Sequence, residues 1–184
     1  MTRKFLAMQG REKDWIMLQR DPNSMYDESI HIDLSSIVPM VAQPHSPGNV
    51  TEITKVEGLK VDQVCIGSCT NSSIKDLKTV AGILKGKKIA ENLSLTISPG
   101  SRQVLLQLLE DGDLSSMVAA GARILECACG PCIGMGQAPS TGAVSLRTFN
   151  RNFKGRSGTV NDNVYLVSPE TAAVSALTGV ITDP

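Results

Sequence analysis

The chain has 184 residues, of which 41% are hydrophobic and 20% are charged. Its 18 basic and 18 acidic side chains balance, which argues against a nucleic-acid or acidic-membrane binder that relies on bulk charge. One Trp, two Tyr and three Phe are too few for a base-stacking surface. No apolar run reaches the roughly 18 residues of a membrane span, and the N-terminus lacks the apolar block of a secretion signal. We therefore expect a soluble, cytoplasmic protein with one main domain.

The first 60 residues differ from the rest in their predicted pattern of secondary structure. Apolar residues within 5–20 predict a short helix, and the alternation over 30–34 predicts a strand. The three prolines and one glycine between 39 and 48 argue against regular structure there. We interpret 1–60 as an arm that wraps a core or joins it to an absent upstream domain.

From residue 61 onward, predicted strands and helices alternate. Ser73 and Asp76 form a capping box, and Ser168 with Pro169 opens the last helix. The predicted strands are 64–66, 93–97, 123–125, 144–149 and 164–167, and the predicted helices are 73–85, 101–109, 113–121 and 168–179. This order predicts, for 61–184, a three-layer α/β/α domain with a mostly parallel sheet.

Five cysteines fall into two tight groups, at 65–69 and at 127–132. Their odd number argues against a complete set of internal disulfides, and clustering in a cytosolic chain indicates metal binding or catalysis. Each group follows a predicted strand. Because functional loops of such sheets lie at the carboxyl ends of strands, we expect the two groups to meet at one edge.

The cysteine spacing alone leaves several interpretations open. Cys129 and Cys132 have thioredoxin-like spacing, but they lie late in the chain. Adding Cys65 and Cys69 would give four zinc ligands, although Cys65 sits in an apolar strand where a packed thiol is commonplace. An iron–sulfur cluster needs thiolates from both loops and can leave one iron open. For Cys65 and Cys127 individually we favour simple packing.

A basic segment follows the cysteines. Four basic side chains lie within ten residues: Arg147, Arg151, Lys154 and Arg156. No acidic residue occurs between them or after them until Asp162. Such a run is commonly a solvated face. It would also suit a small polyanion, because guanidinium groups bind carboxylates bidentately.

Three motifs together resemble the signatures of the aconitase superfamily, in the same order. They are IGSCTNSS at 66–73, ACGPCIG at 128–134 and NRNFKGR at 150–156, and the similarity extends over about 26–184. The resemblance implies a [4Fe–4S] cluster held by Cys69, Cys129 and Cys132, whose fourth iron binds the substrate hydroxyl and a carboxylate as a Lewis acid.

The family roles carry over to three residues of the basic segment. Asn150 would lie near the cluster, and Arg151 and Arg156 would contact substrate carboxylates. Among members of the family the match looks best to aconitate hydratase. The implied reaction is then the conversion of citrate to isocitrate through cis-aconitate, a step of the tricarboxylic acid cycle. The large subunit of 3-isopropylmalate dehydratase or homoaconitase is the alternative, and a cluster-free RNA-binding module is a more distant one.

One departure from the family limits these implications. Aconitases are several times longer, with four domains, and their general acid and base come from domains on either side. His31 and His45 match no family motif, so no catalytic acid or base is assigned within this chain. The sequence thus resembles the third, cluster-carrying domain. We expect it to be inactive without the missing domains of its chain or complex, and its exposed thiols would also allow a form without the cluster.

Overall fold

The structure is a computed structural model that describes residues 2–184. It divides into two compact units, residues 2–37 and residues 38–184. The sequence interpretation drew its boundary at residue 60 instead. That the first segment acts as an arm or a linker stays a prediction.

The first unit contains little regular structure. Its α-helix, α1, spans Thr2–Met8, and a 3-10 turn follows at Glu12–Asp14. The helix predicted for 5–20 is therefore wrong beyond Met8. Gly10 adopts φ +68°, a left-handed conformation that commonly ends a helix.

The strand predicted for 30–34 is also wrong. The Asp33 carboxylate accepts hydrogen bonds from the Ser35 backbone N–H at 2.9 Å and from the Ser35 hydroxyl at 2.7 Å. These bonds start a 3-10 turn at Leu34–Ser36. Local bonds from an aspartate compete with strand pairing, and alternation of apolar residues does not reveal them.

The second unit is built on a sheet of seven strands in the order β2-β1-β7-β6-β3-β4-β5. Strands β3 to β7 are parallel to one another, whereas β1 is antiparallel to both β2 and β7. The predicted α/β fold with a mostly parallel sheet is confirmed. The strands are β1 Met40–Ala42, β2 Val50–Glu52, β3 Gln63–Gly67, β4 Ser94–Ser98, β5 Arg123–Ile124, β6 Val144–Arg147 and β7 Asn163–Leu166.

The proline-containing segment contributes the two antiparallel strands of this sheet. Pro39 directly precedes β1, and Pro44 and Pro47 lie in the loop between β1 and β2. The expectation that 39–48 holds no regular structure was therefore wrong at β1. A proline that flanks a strand removes none of its ladder hydrogen bonds.

Four helices cover one face of the sheet and form one connected layer, in which α2 contacts α3, α4 and α5. The Ser73–Asp76 capping box is present, and Ser168 caps the last helix as predicted. The third helix is capped by Gly112, one residue before the predicted cap Asp113. The helices are α2 Ile74–Leu84, α3 Arg102–Glu110, α4 Asp113–Ala120 and α5 Pro169–Thr178.

The opposite face of the sheet is covered by two irregular connections, 125–143 and 148–162. They contain one short 3-10 helix, Gly130–Ile133. On β3, Gln63 bonds to Gln137 of the first connection, and Cys65 packs against both connections. The domain thus has three layers, and the third is held by loops. Within residues 2–184, no helix is both long and apolar enough to cross a membrane.

The strand order reverses its direction between β3 and β6. From β3 the chain moves through β4 to β5 on one side, and from β6 it moves to β7 on the other. In open parallel sheets, such a reversal leaves a crevice at the carboxyl ends of the two strands, where ligands bind. Here those ends are Gly67 and Arg147. They lead directly into the segments that carry Cys69 and Asn150.

Candidate metal centre

The turn that carries Cys69 leaves β3 through a glycine whose position leaves no room for a side chain. Gly67 has φ +104°, and a Cβ built there would lie 2.1 Å from the carbonyl oxygen of Ser98 on β4. Its N–H donates to the Thr148 hydroxyl at 2.9 Å. The close approach lets the chain turn sharply, so that Cys69 emerges exposed at the carboxyl edge.

Further hydrogen bonds fix this turn to the ends of its neighbouring strands. The Asn71 side-chain amide donates to the Thr148 carbonyl at 2.5 Å, beyond β6. The Ser68 N–H donates to the Ser98 carbonyl at the end of β4. The Cys69 turn is therefore tied to the strands on both sides of β3.

The second thiol-bearing loop forms the 3-10 helix directly after Cys129. Cys132 lies within this helix and is buried, with its Sγ 3.3 Å from the Ser68 hydroxyl oxygen. It also packs with Cys65 and Phe149 in one small cluster. Cys132 thereby joins the loop to β3 and to the segment that follows β6.

The two loops bring their exposed thiols into contact. The Sγ atoms of Cys129 and Cys69 are 3.9 Å apart, although 60 residues separate them in the chain. Cys65 is buried inside β3, as expected, and Cys127 is half-buried. The predicted meeting of the two cysteine groups at one sheet edge is therefore seen for Cys69 and Cys129, with Cys132 bonded to the neighbouring Ser68.

This crowding changes the acidity of the thiols. Hydrogen bonding with Cys132, followed by partial burial and hydrogen bonding with Cys69, raises the pKa of Cys129 to about 11. Burial raises the pKa of Cys65, and the charge of Arg147 opposes that effect. Thiolates packed this closely repel one another. A bound cation would remove that repulsion, so the thiol pair is well suited to a metal or cluster.

The basic segment does not act as one surface. Arg147 is completely buried, so the solvated-face interpretation is wrong for it. Asn152 is also buried, and its amide donates to the Gln43 and Val164 carbonyl oxygens at 2.9 and 3.0 Å. These two residues hold the loops in place, whereas Asn150 and Arg151 are exposed.

Arg156 has an unused donor in a protected position. Its guanidinium carbon lies 5.8 Å from the centre of the Phe153 ring. Its Nε is buried and has no hydrogen-bond partner within the described residues. A Cβ on Gly134 would lie 2.3 Å from the Ser157 carbonyl oxygen, so the Arg156 segment packs directly against the cysteine loop. A buried guanidinium donor beside a thiol loop suits an anionic ligand.

The donor set distinguishes the open alternatives. No group of three or more His, Cys, Asp or Glu in residues 2–184 is arranged around one point to hold a single metal ion, which argues against the structural zinc site. An iron–sulfur cluster does not need that convergence, because each thiolate binds a different iron. Thiols from two loops, next to the unused Arg156 donor, fit the cluster better.

Comparison with known proteins identifies the class. Residues 2–179 match the aconitase family (aconitate hydratase). The match covers nearly the whole chain, and this protein belongs to the aconitase family, whose members are hydro-lyases.

Individual relatives indicate which enzymes within the family this chain is similar to. A 3-isopropylmalate dehydratase large subunit 2 from Archaeoglobus fulgidus is 48% identical over 184 residues, which is 100% of this chain and 44% of that protein. A methanogen homoaconitase large subunit from Methanocaldococcus jannaschii is 44% identical over 173 residues, 94% of this chain and 41% of that protein. The chain thus spans less than half the length of these relatives. Their names favour the alternative of the sequence analysis over aconitate hydratase, and they do not support a role in the tricarboxylic acid cycle.

Sequence reasoning missed the role of Arg147, which it grouped with the exposed cations. A signal was present, because residues at alternate positions of the neighbouring strands are polar: Gln63, Thr96 and Ser145 share one face through the register of the parallel pairs. A polar face on a central strand indicates that something other than an apolar helix covers it.

Proposed function

We propose that this chain is the cluster-bearing segment of a hydro-lyase of the 3-isopropylmalate dehydratase and homoaconitase type. Such an enzyme removes water from a hydroxy acid that carries more than one carboxylate. The observation that carries the proposal is the contact between the Cys69 and Cys129 thiols at the switch point of the sheet. The names of the relatives supply the substrate class.

Each group of site residues has a proposed role. Cys69, Cys129 and Cys132 would hold a [4Fe–4S] cluster. When bound, that cluster supplies a Lewis acid at the iron that carries no thiolate. Arg156 would donate its buried Nε–H to a substrate carboxylate, and Arg151 would bind a second carboxylate from the exposed rim. Asn150 follows Phe149, which touches Cys132, so its amide would orient the substrate beside the thiols.

Dehydration also breaks a C–H bond, and a base must receive that proton. No acidic or histidine side chain joins the thiols in a cluster of three or more within the described residues. We propose that the base comes from segments outside this chain, such as those the longer relatives contain, or from a second subunit, since those relatives are named large subunits. The isolated chain would then bind substrate without turning it over. A cytoplasmic setting would keep the thiols reduced.

Anaerobic reconstitution with iron and sulfide tests the cluster. The wild-type chain should bind both and acquire the visible absorbance of an iron–sulfur cluster. Cys69→Ser, Cys129→Ser and Cys132→Ser should each lose most of it. Cys127→Ser is the matched control, because it lies in the same loop outside the proposed set, and it should keep the full signal. Equal loss in all four variants, or in none, would overturn the proposal.

Substrate addition to the loaded chain tests the reaction class. We expect 3-isopropylmalate to perturb the visible spectrum at lower concentration than citrate, with no unsaturated product from either. A stronger response to citrate would favour aconitate hydratase instead. Turnover by the isolated chain would contradict the proposed origin of the base.

A further inference from the structure

Arg147 occupies an unusual position for a charged residue. It lies on the central strand β6, opposite Cys65 in the register with β3, and its side chain is 0% exposed. Its guanidinium carbon is 5.5 Å from the centre of the Phe149 ring. A fully buried arginine is costly unless its donors are satisfied.

The hydrogen bonds of this guanidinium join the sheet to the cysteine loop. Nη1 donates to the Pro131 carbonyl at 2.7 Å, and Nη2 donates to the Gln137 carbonyl at 2.6 Å. Nη2 also donates to Gln63 Oε1 at 3.0 Å, and Nε donates to the Ser145 hydroxyl at 3.1 Å. Two acceptors belong to the backbone of the loop, and two belong to strands β3 and β6.

The choice of arginine follows from this geometry. A planar fork with five donors can serve four acceptors in different directions, which lysine cannot do. All four acceptors are neutral oxygens, so these contacts leave the positive charge uncompensated. The same charge opposes the burial-induced rise in the pKa of Asp162 and of Cys65.

We propose that Arg147 is a positioning residue that holds the loop at 131–137 against the sheet. It keeps Cys132 buried beside Ser68 and keeps Cys129 in contact with Cys69. The purpose of this positioning, to prepare the loop for a cluster, rests on the proposed function. The positioning itself does not need a cluster, so it can be tested on the chain without iron.

The test measures alkylation of individual cysteines by iodoacetamide under native conditions, with mass spectrometry of the peptides. The full chain is compared with Arg147→Met, Arg147→Lys and the control Arg123→Met, which changes an exposed arginine on β5. Cys132 reports opening of the loop. Because Cys65 is covered by the same loop, opening of the whole domain is reported instead by backbone hydrogen exchange of the α2 peptide that contains the fully buried Leu77.

In Arg147→Met we expect the Cys132 alkylation rate to rise about tenfold while hydrogen exchange of the α2 peptide stays near the wild-type rate, because two charge-assisted bonds to the loop are lost and local opening becomes easier. The Cys132 rate in Arg147→Lys should fall between those of the wild-type chain and Arg147→Met, and Arg123→Met should change neither rate. If the Met variant does not fold, the Lys variant carries the same comparison.

Two results would overturn the proposal. An equal rise in Cys132 alkylation and in α2 hydrogen exchange would assign Arg147 a general role in stability only, and an unchanged Cys132 rate would show that the loop does not depend on it. Failure of wild-type reconstitution would defeat the proposed function and would leave this comparison unaffected. The two failures are therefore distinguishable.

Discussion

The two faces of the parallel sheet are held by different kinds of interaction. The face under the helices carries apolar side chains that are almost fully buried, among them Ile66, Leu95, Ile97 and Leu146. The other face carries Gln63, Thr96, Ser145 and Arg147, and irregular loops cover it. This domain thus separates the surface that stabilises the fold from the surface that prepares the site.

The difference has an energetic basis. Each large apolar side chain on the helix-covered face contributes about 1.5–3 kcal/mol through burial, with little directional requirement. On the loop-covered face, buried polar groups are tolerated only when their partners are placed correctly, and each partner lost costs about 1–3 kcal/mol. The loops are therefore held in a particular conformation, which is what a ligand-binding edge requires.

The largest loss of stability is expected at Gly67, the glycine that ends β3. Gly67→Ala should lower the free energy of unfolding by about 4 kcal/mol, because it adds left-handed strain and a backbone clash with Ser98. Gly142→Ala is the control. Gly142 has φ +78° and nothing within 4 Å of a Cβ, so only about 1 kcal/mol should be lost. Equal losses in urea unfolding would show that the close approach is unimportant.

A cavity on the helix-covered face should destabilise the fold without loosening the site. Leu77→Ala on α2, at a fully buried position, should cost about 3 kcal/mol of unfolding free energy. In buffer without urea, the Cys132 alkylation rate should stay at the wild-type value. A rise in that rate would mean that the two faces are coupled more tightly than we infer.

Asn152 provides the matching test on the loop-covered face. Asn152→Ala removes bonds to Gln43 and Val164 and should cost about 2 kcal/mol in urea unfolding, because buried carbonyl oxygens lose their donor. Asn161→Ala, at an exposed position of the same connection, should cost less than about 0.5 kcal/mol. If both variants were equally stable, the loop would not depend on the buried amide.

The smallest change in stability is expected from the contact between the Cys69 and Cys129 thiols. Because the folded pKa of Cys129 is about 11 and a free cysteine titrates near 8.5, the unfolded chain releases this proton first as the pH rises. Stability should therefore fall slightly between these two values. Cys129→Ser should flatten that part of the pH profile of urea unfolding, whereas Cys127→Ser should not. A stability rising with pH over this range would contradict the raised pKa.

The helix-covered half of the fold could be predicted because its signals are local. Apolar periodicity located α2 and α3, and Ser73 and Ser168, predicted as helix starts, are the N-caps of α2 and α5. Strand ends then indicated that the cysteines would meet at one edge. That step needed only the rule that parallel strands share their carboxyl side.

The remaining features depend on partners far away in the chain. The bond from Arg147 to the Pro131 carbonyl spans 16 residues, and its bond to Gln63 spans 84. No local pattern distinguishes a buried cation of this kind from the exposed Arg151. Likewise, β1 forms between prolines because β2 and β7 are available to pair with it. The substrate class came from the names of the relatives, because no local pattern in this chain indicates it.

Selective oxidation gives the most direct test of the meeting of the two thiol loops. In a Cys132→Ser chain treated with a mild oxidant under native conditions, peptide mapping should find Cys69 linked to Cys129 in large excess over Cys127, because the Cys69 and Cys129 sulfurs are 3.9 Å apart. Equal linkage to Cys127 and Cys129, or no linkage of Cys69 at all, would contradict the shared edge on which the proposed site depends.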